Sequence, residues 1–261
     1  MTARDQAAAA EPLRSLIDVA TGGEPRRRRT QKTSERVAGE IVRDIVARGL
    51  GSGARLPLEA AMAAQYDVSR SSLREALRIL EVQGLIRLKP GPGGGPVVGV
   101  VEAANLARTA SLYFHLGGAS YRDLIETQAM LEPLCAVAAA GNPDRAAAMA
   151  PHLEPAPVDD LERYHRETVA FHQAIYELAA NPVLRLLTEA ITQMVTSHVL
   201  ASIDPVELHA SIVAEHAAIA AAVADGDKAA AHRLTAEHFG AQHDYYRRTM
   251  PARLTQLIEW R

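Results

Sequence analysis

The sequence predicts a mainly α protein in two parts: a short module of three helices closed by a β-hairpin, then an all-helical antiparallel bundle. Three observations carry this expectation. Alanine is abundant and aromatic residues make up only 4% of the 261-residue chain, which favours helices over a β-sandwich or barrel. From residue 34 almost to the end, apolar residues recur at helical spacing, interrupted mainly by Gly and Pro. Charge is split along the chain: residues 26 to 100 hold 14 Lys/Arg against 7 Asp/Glu, whereas residues 101 to 261 hold 12 against 20. A basic module beside an acidic one, which contains all 10 histidines, points to a polyanion partner for the first and different chemistry for the second.

Ser34 and Glu35 open the first helix, which carries Val37, Ile41, Val42, Ile45 and Val46 and stops at Gly49. A second, short helix is expected over Leu58 to Tyr66. Asp67 and Val68 make a tight turn, and Ser69 is placed to cap a third helix whose apolar stripe is Leu73, Ala76, Leu77 and Leu80. Arg70, Ser71 and Arg74 fall toward the opposite side. Gly84 ends the helix. The runs 85 to 88 and 97 to 101, separated by a Gly/Pro turn, read as a hairpin. Three helices and a hairpin form the winged helix-turn-helix pattern, in which Arg70 and Arg74, one turn apart, can address a guanine edge or a phosphate.

Beyond residue 102 every element reads as helix. Ser120 and Asp123 form a capping-box start for the segment 121 to 140, and 151 to 160 is a loop. Long helices follow over 161 to 180, 183 to about 202, from Asp204-Pro205 onward, and 228 to 248, with turns at Asn181-Pro182 and Gly226. Measured from those turns at 1.5 Å per residue, His172, His216 and His238 lie within about one helical turn of the same height. Three imidazoles in one layer suit a divalent metal such as Zn²⁺ or Ni²⁺. His165, His209 and Tyr245 fall about two turns away, either as a second polar layer or as solvated residues.

The expected division is a basic tail over 1–30, a DNA-binding module over 31–101, a helical domain over 102–250 and a C-terminal tail over 251–261. With 48% hydrophobic and 23% charged residues, global disorder is excluded. The single Cys135 excludes a disulfide framework and a multi-cysteine zinc site. No uninterrupted apolar run approaches the roughly 18 residues of a spanning helix, and the opening residues do not read as a secretion signal, so a cytoplasmic protein without a membrane partner is expected.

The stretch RLPLEAAMAAQYDVSRSSLREALRILEVQGLIRLKPGPGGGPVV resembles the DNA-binding domain of GntR-type bacterial transcription regulators. It carries Leu56-Pro57-x-Glu59, Val68-Ser69-Arg70, Leu73-Arg74-Glu75-Ala76-Leu77 and Gly84-Leu85-Ile86 in register. The resemblance implies that Arg70, Ser71 and Arg74 meet the operator and that Pro90 and Gly91, at the wing tip, enter the minor groove. Ala60 stands where the family usually has Arg, so one DNA contact is expected to be missing. The segments AFHQAIYELAANPVL, EHAAIAAAVADGDKAAAHRLTAEH and YRDLIETQAMLEP resemble the FCD effector domain of the FadR-like subfamily. That implies a metal on His172, His216 and His238, with Thr168 where the family has an Asp ligand. It also places an effector pocket at Thr168, Gln128 and Glu132, with Gln128 where an Arg is usual.

The implied function is a ligand-responsive regulator, a repressor binding a palindromic DNA operator as a homodimer, with a small organic acid as effector. The alternative is a metal-dependent hydrolase using the histidine triad.

Overall fold

In the first unit, helical spacing turns one face of each helix into core. α1 (Thr33–Ala47) buries Val37, Ala38 and Ile41. α2 (Glu59–Gln65) buries Met62 and Ala63, and is tied to α1 by the Tyr66 hydroxyl donating to Asp44 at 2.8 Å. α3 (Arg70–Val82) starts at Ser69, whose hydroxyl accepts from the Ser72 amide at 3.2 Å. Its stripe of Leu73, Ala76, Leu77 and Leu80 packs on Val37, Ile41, Met62 and Ile86. Each fully buried leucine is worth about 1.5–3 kcal/mol, so the three of them, with Ala76 beside them, fix the helix on its neighbours. The structure, a computed structural model, describes residues 32–91, 94–100, 102–199 and 206–260. The expected tail over 1–30, including Arg26 to Arg29, lies outside the described residues.

The hairpin is shifted from its expected position. β1 (Ile86–Lys89) pairs antiparallel with β2 (Gly95–Val98), Ile86 opposite Val98 and Lys89 opposite Gly95. This register puts Ile86 in the core and draws Gly95 and Pro96, expected in the turn, into the strand. At Gly94 a Cβ would stand 2.2 Å from the Lys89 carbonyl oxygen, so this wing closes only around a glycine. Residues 53 to 56, unassigned by sequence, form a third edge. Gly53 N donates to Val98 O, Val98 N to Ala54 O, and Leu56 N to Pro96 O, all at 2.9 Å.

The chain divides into two compact units, Met1–Asn105 and Leu106–Arg261. α4 (Ala103–Leu116) begins at the division. The helical unit centres on α5 (Tyr121–Ala140), whose start is the expected capping box: the Ser120 amide donates to Asp123 and the Asp123 amide to Ser120. α6 (Arg145–Met149) and a 3₁₀ turn (Ala150–His152) occupy a stretch the sequence reading left without helix. Then come α7 (Leu161–Leu178), α8 (Pro182–His198), a 3₁₀ turn (Val206–Leu208), α9 (His209–Asp225) and α10 (Lys228–Thr249). α8 ends earlier than expected, and the Asp204-Pro205 start lies outside the described residues. α5 packs against α7, α8, α9 and α10. Small residues let these helices approach closely: Ala136, Ala139, Ala220 and Ala231 interleave with Phe171, Ile175, Ile219 and Val223.

Within the expected tail over 251–261, the described residues 251–260 are packed on the bundle. α11 (Pro251–Leu254) and the residues after it lie against α5, burying Leu254 and Ile258 to 0% and 1% exposure. Tyr121 N donates to Gln256 O and Ile258 N to Ala119 O, both at 3.0 Å, while Arg253 lies over the Tyr121 ring at 4.4 Å. Its apolar residues Leu254, Leu257, Ile258 and Trp260 span too few positions for a helical period to be read, which is why the sequence hid this clamp. The helical stretch Val206–Asp225 is long and apolar enough to cross a membrane by length and composition alone. Its Ile212, Val213, Ile219 and Val223 are nevertheless buried within the bundle.

Candidate functional site

Two sites emerge, one in each unit. In the first, α3 exposes Arg70, Ser71 and Arg74 in its opening turns while its other face is locked in the core. Arg74 is not loose: its Nε donates to Glu59 Oε2 at 2.8 Å, holding the guanidinium between α2 and α3. A fixed guanidinium loses less side-chain freedom when it meets a polyanion. The sequence placed Glu59 only as part of a motif, because its partnership with Arg74 spans 15 residues. Pro90 and Gly91 are exposed at the wing beside Lys89, and Arg87 is exposed on β1. A positive φ of 91° at Gly91 suits a residue without Cβ.

In the second unit, His172 on α7, His216 on α9 and His238 on α10 converge, with one nitrogen of each within 4.8 Å of the others. His216 and His238 are 6% and 1% exposed. Zn–N bonds of about 2.0–2.1 Å at tetrahedral angles put nitrogens about 3.4 Å apart. His216 Nε2 and His238 Nε2 stand at 3.3 Å, so this pair already has the required spacing. Burial holds all of His172 and His216 below the usual imidazole range, with the neighbouring histidines adding to the effect; His172 falls to about 3. Both rings are therefore neutral near pH 7, the form that ligates metal.

His238 is oriented by a residue that spacing did not reveal. Its Nδ1–H donates to Glu215 Oε2 at 2.6 Å, leaving the Nε2 lone pair for the triad. Burial raises the Glu215 pKa, but hydrogen bonds from His238 and Ser211 outweigh it and leave the carboxyl below its ordinary value. Ser211 Oγ donates to Glu215 Oε1 at 2.6 Å. The Gln242 amide nitrogen also lies 2.7 Å from His238 Nε2, so a cation there displaces that amide. The donor set, one carboxylate-oriented imidazole and two neutral ones, fits a divalent metal of the Zn²⁺ or Ni²⁺ type.

The triad separates two cavities. His172 and His238, with Glu132 and Thr235, line an interior space of about 10 Å³, about one water-sized sphere. His216 and Thr168 line a larger cleft of about 350 Å³ under the loop that carries Pro151 and Pro157. The hydroxyl oxygens of Thr168 and Thr235 are buried without a hydrogen-bond partner. Of the expected effector-pocket residues, Thr168 lines the larger cleft, Glu132 only the small cavity, and Gln128 neither. Gln128 Nε2 instead donates to Thr192 Oγ1 at 3.0 Å between α5 and α8. Glu132 is 1% exposed and accepts from Tyr176 OH at 2.5 Å and Thr192 Oγ1 at 2.8 Å. Burial pushes its carboxyl up to about 7, against the pull of those bonds. His165 and His209 gather instead around the Tyr164 ring, with His209 stacked on it at 3.8 Å.

A winged helix-turn-helix unit with an exposed third helix, joined in one chain to a helical unit with a buried cluster of three histidines, defines a transcription regulator with its own sensing domain. Residues 33–94 match the family model of bacterial regulatory proteins of the gntR family, and residues 123–241 match the FCD domain. The chain belongs to the gntR family, in the FadR-like branch that carries an FCD effector-binding domain.

It is 27% identical to the HTH-type transcriptional repressor NanR of Citrobacter rodentium over 225 residues, 81% of this chain and 84% of that protein. It is 26% identical to the repressor NanR of Escherichia coli K12 over 170 residues, 62% of this chain and 63% of that protein. Among solved structures, Streptococcus agalactiae GntR shares the fold, with a TM-score of 0.61 over 81% of this chain and 99% of that one, at 21% identity. The family and these relatives are regulators, not enzymes, and the hydrolase alternative finds no support in them.

Proposed function

We propose that this chain is a repressor that binds a palindromic operator as a homodimer and is controlled by a small organic acid at a metal centred on His172, His216 and His238. The observation that carries the DNA half is the exposed opening of α3, where Arg70, Ser71 and Arg74 stand out from a helix whose other face is core. One recognition helix reads too few base pairs for useful specificity, so two copies on a two-fold site are required. Met130 and Leu134, one turn apart on α5, are 70% and 48% exposed and suit a surface covered by a second copy. The named repressors among its relatives support the sign of regulation. A regulator of this kind acts where the chromosome is, in the cytoplasm.

The metal reading rests on the donor set: three convergent imidazoles, with His238 oriented by Glu215. A bound divalent cation supplies a positive centre to which an anionic ligand can bind. The chain's own residues hold the imidazoles in place, with His172 and His216 kept neutral by burial, and provide the adjoining cleft of about 350 Å³, within the range of small-molecule sites. The test is a gel shift with the protein's own promoter region, using protein stripped by chelator and protein reloaded with Zn²⁺ or Ni²⁺. Saturable binding that shifts on addition of a small acid only in the reloaded protein is expected. Absence of any sequence-selective shift refutes the repressor reading.

A further inference from the structure

Three imidazole ligands bring no negative charge to a divalent cation. The nearby carboxylates are already engaged: Glu215 bonds to His238 and Ser211, and Glu132 to Tyr176 and Thr192. Glu167, on the wall of the larger cleft, faces Arg163 at 3.9 Å. Among the described residues, no carboxylate joins the histidine cluster. Thr168 stands one helical turn before His172 on α7, and so on the same face as that ligand. It lines the cleft that reaches His216, and its hydroxyl oxygen is buried with no partner. A buried hydroxyl left unbonded is unfavourable, and a ligand oxygen accepting from it relieves that cost. A cation held by the triad would thus be uncompensated, and an unused donor borders the cleft that reaches His216.

Resting on the metal reading above, we infer that Thr168 makes cation and effector bind cooperatively. A small carboxylate in the cleft completes the cation's coordination while accepting a hydrogen bond from the Thr168 hydroxyl. The acid supplies the charge that the protein withholds, so neither partner binds at full strength alone. By linkage, the acid must raise cation affinity by the factor by which the cation raises acid affinity.

The test is isothermal titration of chelator-stripped full-length protein with Zn²⁺, in acetate and in chloride at equal ionic strength, with acetate as the smallest carboxylate probe. Wild type should bind zinc on the order of tenfold more tightly in acetate, within the usual range of coupling. Thr168→Val should lose most of the difference between acetate and chloride, whereas Thr168→Ser should retain it. Thr168→Asp, which carries its own carboxylate, should bind zinc more tightly in chloride and show little response to acetate. Wild-type zinc affinity that is equal in both buffers overturns the inference while leaving the metal reading intact, as does a full acetate effect in Thr168→Val. Failure of wild type to bind zinc at all overturns both.

Discussion

Glu132→Gln separates burial from charge at the bottom of the triad cavity. Glu132 is 1% exposed, and its Oε1 accepts from Tyr176 and Thr192. Glutamine has the same shape and keeps that carbonyl acceptor, so the hydrogen bonds survive and only the titration is removed. Burial raises the carboxyl from an ordinary 4.5 to about 7. The folded protein therefore holds this proton more tightly than the unfolded chain does. Its contribution is fully present below about pH 4.5 and is lost as pH rises through about 7, where the buried group must ionise. That gap corresponds to about 3 kcal/mol. Urea unfolding of metal-free wild type and variant at pH 5 and pH 8 measures it. The variant should gain on wild type by about 2–3 kcal/mol between the two pH values. Comparing the two proteins cancels the opposite slope from His172 and His216, whose depressed pKa values make stability rise with pH. A difference between variant and wild type that is the same at both pH values would refute the buried-carboxyl account.

Arg70→Ala and Arg74→Ala should each weaken operator binding by about 1–3 kcal/mol in gel shifts while leaving the circular dichroism of the protein unchanged, since both are surface residues of α3; wild-type binding by both variants would remove α3 from the DNA interface. His172→Ala, His216→Ala and His238→Ala should each abolish bound metal by elemental analysis, whereas His198→Ala and His243→Ala should retain it. Glu215→Gln should lower metal affinity about 10- to 100-fold through His238, and unchanged affinity would mean that the carboxylate does not orient the ring. Ile258→Ala should cost about 2–5 kcal/mol in denaturant unfolding, because this side chain is fully packed; a cost near zero would mean that the segment after α11 frays in solution.

Periodicity is a local property, and what it encodes was legible without coordinates. Leu73, Ala76, Leu77 and Leu80 announce a helix with one buried face, Ser69 its start, and the opposite face with Arg70 and Ser71 its exposure. Even the convergence of His172, His216 and His238 could be read, because a rise of 1.5 Å per residue turns distance from a known turn into height in a bundle. Height, however, says nothing about what surrounds a residue at that level. Only the tertiary structure pairs Glu215 with His238 and Arg74 with Glu59, directs Gln128 to Thr192, and clamps Leu254 and Ile258 against α5. It alone shows Thr168 beside an open cleft with its hydroxyl unbonded. Each of these depends on how helices distant in sequence rotate against one another to fill space, and that rotation is set by the whole core at once, not by any window of the chain.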